Sequence, residues 1–228
     1  MSIYAAIQKH SHRFHPLFFP DLYPGNTCRL DLSEGNRALA SMQFADTVSF
    51  GQAIFGLMQS ENCTYAYGGY LENRDVYQRS PLFAGTGAPR SVHLGVDVWT
   101  RAGTQVYLPL GGRIHSFRDN STFGDYGPTI VVEHLLESER FFTLYGHLSR
   151  SSIEGLSQGM AVQAGNVLCQ VGDAPENGDW PPHLHFQVIT DMRGQEGDFP
   201  GVSRLAELPV YRKLCIDPAP FFGKLHSK

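Results

Sequence analysis

From about residue 90 onward, short apolar runs of strand length recur between turn residues. In order they are HLGVDVW, TQVYLPL, GRIHSF, TIVVEH, RFFTLYGHL, AVQAGNVLCQVG and HLHFQVI. No helix-length periodic segment interrupts them, so the pattern predicts hairpin-linked antiparallel strands rather than βαβ crossovers. Before residue 80 the chain reads differently. A Pro/Gly-rich opening leads to one helical stretch, VSFGQAIFGLMQS, with Asp46 as its N-cap and Val48, Ile54, Leu57 and Met58 sharing an apolar face. PLFAGTGAPR then reads as a linker. The expected fold is mostly β: an antiparallel sheet domain, sandwich or groove, over residues 89–195, preceded by an α+β extension over 1–88 with one helix. Residues 196–228 are expected to form a tail packing on that domain.

Composition narrows this only a little. Hydrophobic residues make up 42% of the 228 positions and charged residues 18%, with 24 Gly and 14 Pro, a balance that favours strands and turns over long solvated helices. A net charge of -4 gives no general electrostatic reason to approach nucleic acid or an anionic membrane. No apolar run is long enough to span a bilayer, and the N-terminus shows no apolar stretch followed by a small-residue cleavage site, so the expected compartment is the cytoplasm. Cys28, Cys63, Cys169 and Cys215 have no CxxC spacing; they are expected as reduced thiols, with Cys169 a small core residue.

Three short segments carry candidate chemistry. In a strand, HLHFQV directs His183, His185 and Gln187 to one face and Leu184, Phe186 and Val188 to the other, so the two imidazoles stand about 7 Å apart over an apolar underside. Either imidazole suits a metal. In HLGVD, alternation sends Leu94, Val96 and Val98 to a core and leaves His93, Gly95 and Asp97 outside. A straight strand would hold His93 and Asp97 about 13 Å apart, too far to share an ion, so a bend at Gly95 is expected. Two histidines and a carboxylate leave a fourth tetrahedral position open for water, the arrangement of catalytic rather than structural zinc. The third segment, YGHLS, ends an apolar run at His147, with Gly146 allowing close backbone approach.

In their order and spacing, HLGVD, GTQVYLPLGGRI, YGHLS and PPHLHFQV resemble the lysostaphin-like M23 zinc metallopeptidases, over roughly residues 90 to 190. That resemblance implies an antiparallel β metallopeptidase domain with a groove, a hydrolase acting on peptides that include those of peptidoglycan, and one Zn2+ held by His93, Asp97 and His185. It also implies that His147 and His183 serve the bound water and the transition state. This chain departs from the pattern at Gln187, where the family commonly has Glu, and at VGDAPENGDWPP, where a short Gly/Ser/Thr turn is usual. DYGPT, WPPHLHFQV and GDFPGV are further similar to M23-like domains of larger intracellular proteins, between a kinase-like and an aminotransferase-like domain.

Other functions compete for the same residues. A non-haem Fe(II) oxygenase also uses two histidines and a carboxylate, but more naturally as H-x-D, and it leaves His147 and His183 idle. A non-hydrolytic or regulatory module acting on a small substrate is the nearer alternative. Loops 117–128 and 173–182 are expected to flank the substrate, with Asp119, Asp125, Asp173, Glu176 and Asp179 making an acidic rim and Trp180 an apolar wall. Glu72 or Asn73 is a candidate to cover the open metal position from upstream. His10, His12 and His15 read as a mobile basic N-terminus, and His115, His134 and His226 as structural.

Overall fold

The seven apolar runs all become strands. A computed structural model describes residues 2–36, 44, 46–84 and 87–226. Its strands are β1 Thr27–Leu30, β2 Tyr65–Gly68, β3 Val92–His93, β4 Val96–Trp99, β5 Gln105–Tyr107, β6 Gly112–Asn120, β7 Gly127–Leu136, β8 Glu139–Gly146, β9 Ala161–Val162, β10 Val167–Gln170, β11 His183–Ile189, β12 Val202–Ser203 and β13 Cys215–Ile216. Among the described residues nine of them form one sheet in the order β1-β2-β4-β11-β8-β7-β6-β9, with β13 also on β11. Pairing is antiparallel throughout that sheet except between β1 and β2, which run parallel around the helix of the N-terminal region. Two small pairs, β10 with β5 and β12 with β3, complete the β structure.

The register of the sheet centre matters most for function. On β11, His185 lies opposite Asp97 of β4 on one side and Gly146 of β8 on the other. The three sequence motifs therefore meet in adjacent strands. Leu184, Phe186 and Val188 pack with Val96, Val98, Ile130 and Tyr145 in one apolar layer, as alternation requires. Leu94 departs from its expected side and joins Leu144, Ile189 and Phe199 across the sheet, because the chain is not a continuous strand there.

Residues before 89 cover both faces of the sheet, a first helix on the side of Leu184 and Phe186 and a second on the side of Trp99 and Trp180. Helix α1 (Ile3–His10) has Ser2 as its N-cap and buries Ala6 and Ile7. Lys9 and His10 both pair with Glu137, at 2.7 and 2.6 Å, so the expected mobile N-terminus is instead a docked helix with partners. Helix α2 (Thr47–Ser60) starts at Asp46, whose carboxylate accepts from the Ser49 amide. Its buried stripe is Phe50, Ile54 and Met58, one residue every turn, whereas Val48 is 67% exposed. Phe50 wins the inner face by packing edge-on against Trp99, with ring centroids 5.7 Å apart. The stretch read as a linker is not a spacer: Phe83 is buried beneath the Arg90 guanidinium, while Gly85 and Thr86 lie outside the described residues.

The C-terminal residues also enter the core. After β13, Phe221 and Phe222 pack on Phe186, at centroid distances of 5.3 and 5.8 Å. Helices α3 (Leu208–Leu214) and α4 (Gly223–His226) flank β13. No described helix is long and apolar enough to cross a membrane.

Candidate metal centre

The turn that makes this site lies between β3 and β4. An added Cβ at Gly95 would stand 2.7 Å from Cε1 and Nε2 of His185 and 2.7 Å from the Phe186 carbonyl, so only glycine leaves room for that imidazole. The interruption of the strand folds His93 back toward Asp97, bringing Nε2 to 3.2 Å from Oδ1.

His185 completes a triangle. Its Nδ1 is 3.0 Å from His93 Nε2 and 3.1 Å from Asp97 Oδ1. Three ligands at bonds of about 2.0–2.2 Å in a tetrahedron sit about 3.3–3.6 Å apart, so this triangle is close to one face of a zinc tetrahedron and slightly tighter. The remaining polar atoms are tied off in the sense a metal requires. His93 Nδ1 donates to the Gly69 carbonyl at 3.0 Å, leaving Nε2 a lone pair. His185 Nε2 donates to Gln187 Oε1 at 3.0 Å, leaving Nδ1 free. Gln187 is held in that orientation because its own amide nitrogen donates to the Pro200 carbonyl and to Cys215 Sγ, each at 3.1 Å. Among the described residues this is the group of His, Cys, Asp and Glu side chains placed to share an ion. Two imidazoles and a carboxylate fit Zn2+.

His147 and His183 stand beside the triangle and point the same kind of atom at it. His147 closes β8 with φ of 62°, a left-handed conformation that a non-glycine residue adopts only where its surroundings enforce it. Its Nδ1 donates to the Asn177 carbonyl at 2.8 Å. His183 Nδ1 donates to the Pro181 carbonyl at 2.7 Å, and its ring stacks on Trp99 at 4.0 Å. Both Nε2 atoms are thus left as acceptors, and the two rings lie 4.2 Å apart. Burial, and secondarily the neighbouring imidazoles, hold His147 well below its ordinary pKa; burial also brings His183 to about 4. Burial opposes ionisation of Asp97, but His93 and Arg74 outweigh it and hold the carboxyl well below the usual carboxylate range.

Arg74 carries no motif in the sequence, yet it is central. It is 2% exposed; Nη1 lies 2.5 Å from Asp97 Oδ2 and Nε 2.6 Å from Glu72 Oε2. It fixes the carboxylate so that Oδ1 faces the two imidazoles. Glu72 is therefore occupied with Arg74, and Asn73 bridges to Val92. Neither residue lines the space over the triangle, where a plug is expected. Tyr126 was likewise not anticipated: its hydroxyl lies 3.4 Å from both His185 Nε2 and Gln187 Oε1.

Most of the acids expected at the rim are engaged away from the space over the triangle. Asp119 pairs with Arg150 at 3.1 Å and Asp179 with Arg79 at 3.9 Å. Asp173 and Glu176 accept from backbone amides of Ala174 and Arg150. Asp125 alone of the five lines the space over the triangle, joined there by Asp198. Trp180, 4% exposed, forms part of its wall.

The profile of Peptidase family M23 matches residues 91–197. No curated protein matches the chain. Solved structures similar to it include an M23-type protein of Pseudomonas aeruginosa, 25% identical over 58% of this chain and 44% of that one, with a TM-score of 0.39. The catalytic domain of the antimicrobial peptidase lysostaphin from Staphylococcus simulans is 24% identical over 58% of this chain and 80% of its own, with a TM-score of 0.41. A zinc-containing peptidase of Vibrio cholerae is 28% identical over 48% of this chain and 29% of that protein, with a TM-score of 0.36. The chain spans under half the length of the Pseudomonas and Vibrio proteins.

Proposed function

From the match of residues 91–197 to peptidase family M23 we propose that this protein is a zinc-dependent hydrolase of peptide bonds, with His93, Asp97 and His185 as metal ligands and His147 and His183 as proton-transfer groups. The observation that carries the reading is the convergence of His93 Nε2, Asp97 Oδ1 and His185 Nδ1 at 3.0–3.2 Å, with every other polar atom of those side chains engaged elsewhere.

Zinc bound there supplies a Lewis acid for the scissile carbonyl and brings the pKa of a bound water toward neutrality. The rest of the chemistry belongs to the chain. His147 and His183, unprotonated at neutral pH, each present Nε2 as an acceptor for the proton lost by the attacking water. Once protonated, either can donate to the leaving amine. Gly69, Gln187 and Arg74 keep the ligand tautomers and the carboxylate orientation fixed, so no reorganisation is needed during turnover.

The test is direct. Protein dialysed against buffered zinc should retain one equivalent by elemental analysis and hydrolyse members of a panel of glycyl and D-alanyl peptides. His93→Ala should lose both properties. Retention of full activity after exhaustive chelation, or no zinc uptake by the wild-type protein, would refute the reading.

A further inference from the structure

The groove that an antiparallel metallopeptidase sheet offers to a polypeptide is roofed in this protein. The two loops expected to flank it meet each other: the Gly124 amide donates to the Gly178 carbonyl at 2.9 Å. Residues before the domain then lock both loops from above. Ser80 Oγ donates to the Phe123 carbonyl of the first loop at 2.8 Å. Thr47 Oγ1 donates to the Asp179 carbonyl of the second at 2.9 Å, and Arg79 Nη2 reaches both Thr47 Oγ1, at 2.6 Å, and the Asp179 carbonyl, at 3.1 Å. The Arg79 guanidinium lies 4.6 Å over the Trp180 ring and 5.1 Å over Phe123. On the opposite side, β12 pairs with β3, and the Leu94 amide donates to the Gly201 carbonyl at 2.8 Å. A chain lying across the sheet would have to break one or both of these closures.

What remains over the triangle is a cavity of about 190 Å³. Its walls combine aromatic side chains, Tyr77, Phe83 and Trp180, with the charged Arg90, Asp125 and Asp198, over a floor of His147, His183 and His185. A cavity of about 150 Å³ accepts one benzene ring, whereas pockets for drug-sized ligands run to about 300–1,000 Å³. The space therefore suits one bulky apolar or aromatic side chain next to the reacting bond.

Building on the hydrolase reading, we infer that the substrate is a dipeptide-sized amide with one apolar or aromatic side chain, taken end-on into this roofed pocket, and not an extended peptide or a cell-wall cross-bridge laid across the sheet. Tyr77 and Trp180, which meet edge to face with ring centroids 6.2 Å apart, form one aromatic wall against that side chain. The clasp made by Thr47, Ser80 and Arg79 sets the length limit. Water attacks the amide carbon, the C–N bond breaks, and the amine leaves with the proton returned by an imidazole, giving an acid and an amine with no further reactant.

Two measurements on the zinc-loaded full chain test this. In the first, binding is followed by calorimetry with phenylalanine hydroxamate and with a hexapeptide hydroxamate ending in the same residue. The short probe should bind at least tenfold more tightly, and equal or tighter binding of the long one would overturn the inference. In the second, Phe-Gly and Leu-Gly are compared with a decapeptide, blocked at both ends, carrying the same bond at its centre. The dipeptides should be cut at least a hundredfold faster, and Arg79→Ala, which loosens the clasp away from the metal, should narrow that ratio. Rates within twofold for short and long substrates would sink the length limit while leaving the hydrolase standing. Selective binding of the short probe without hydrolysis of any peptide would do the reverse. If Arg79→Ala alone confers cleavage, of the long peptide and not the dipeptides, the roof is an inhibitory latch and the inference fails.

Discussion

Arg74 and the two proton-transfer histidines make separable contributions, and single substitutions distinguish them. Of the two Asp97 oxygens Arg74 touches only the outer one, so Arg74→Met should weaken zinc by about 10–100-fold, the usual scale for a group that orients a ligand, together with a loss of stability from leaving Glu72 buried without its partner. Competition with a chromogenic chelator measures this, and an unchanged affinity would remove Arg74 from the site. His147→Ala and His183→Ala should instead keep one zinc per chain and lower turnover by about a hundredfold. A histidine outside the site also contributes to acid stability. Burial brings His134 to about 4 from an ordinary value near 6.5, between the Gly111 carbonyl and the Thr143 hydroxyl. Its folded pKa lies below its unfolded one, so the unfolded chain takes up the proton first. The stability it confers is complete above about 6.5 and is lost as the pH falls toward about 4. His134→Gln should flatten the stability–pH curve in that window by up to about 1.4 kcal/mol per pH unit relative to wild type, and denaturant titrations at intervals across it give the slope. At this scale the histidines and Asp97 stood out as candidates because a metal demands particular side chains at particular spacings, while the choice of His185 over His183 as a ligand came from the family resemblance alone. Arg74 did not stand out: an arginine in YLENRD acquires meaning only when β2 brings it alongside β4.

Strand positions followed from period-two alternation, and the expected bend at Gly95 followed from the reach of two side chains. The physical reason for the glycine is clearance for the His185 ring, which no sequence pattern reveals. Gly95→Ala should therefore act on the metal centre first: zinc affinity should fall at least tenfold, with the circular dichroism of the sheet preserved. A variant that binds zinc as wild type does would show that the ring has room to shift. The loop over 173–182 was expected to tune substrate choice. The structure gives it a larger duty, because the Asn177 and Pro181 carbonyls that orient His147 and His183 both belong to it. Asn177 folds the loop on itself, its side chain bridging the Gly172 and Trp180 backbones. Exchanging the loop for a short Gly/Ser turn should keep the zinc, whose ligands lie elsewhere, and depress turnover on every substrate by about a hundredfold. A swap that merely reorders preferences would return the loop to the rim.

At the scale of the whole molecule, a boundary near residue 88 does not coincide with a break in the packing. Sheet order places β1 and β2, from residues before 89, directly beside β4, so the strand carrying Asp97 is internal only because of them. Ile7, Leu17, Phe18, Leu22 and Tyr65 lie in the same apolar cluster as Val96, Leu184 and Phe186. The sequence could not announce this: β1 and β2 are four residues each, too short for alternation to stand out, and a parallel pair needs a crossover whose partners are distant along the chain. Each such large side chain contributes about 1.5–3 kcal/mol when buried, and a domain's net stability is about 5–15 kcal/mol. Removing residues 1–88 thus takes away as much as the whole margin, and also strips Arg74 from Asp97 and opens an edge along β4. The fragment 89–228 should show no cooperative thermal transition and should bind zinc at least a hundredfold more weakly than the full chain. A fragment that melts cooperatively and keeps wild-type zinc affinity would establish the sheet domain as independent and reduce the N-terminal residues to a cover.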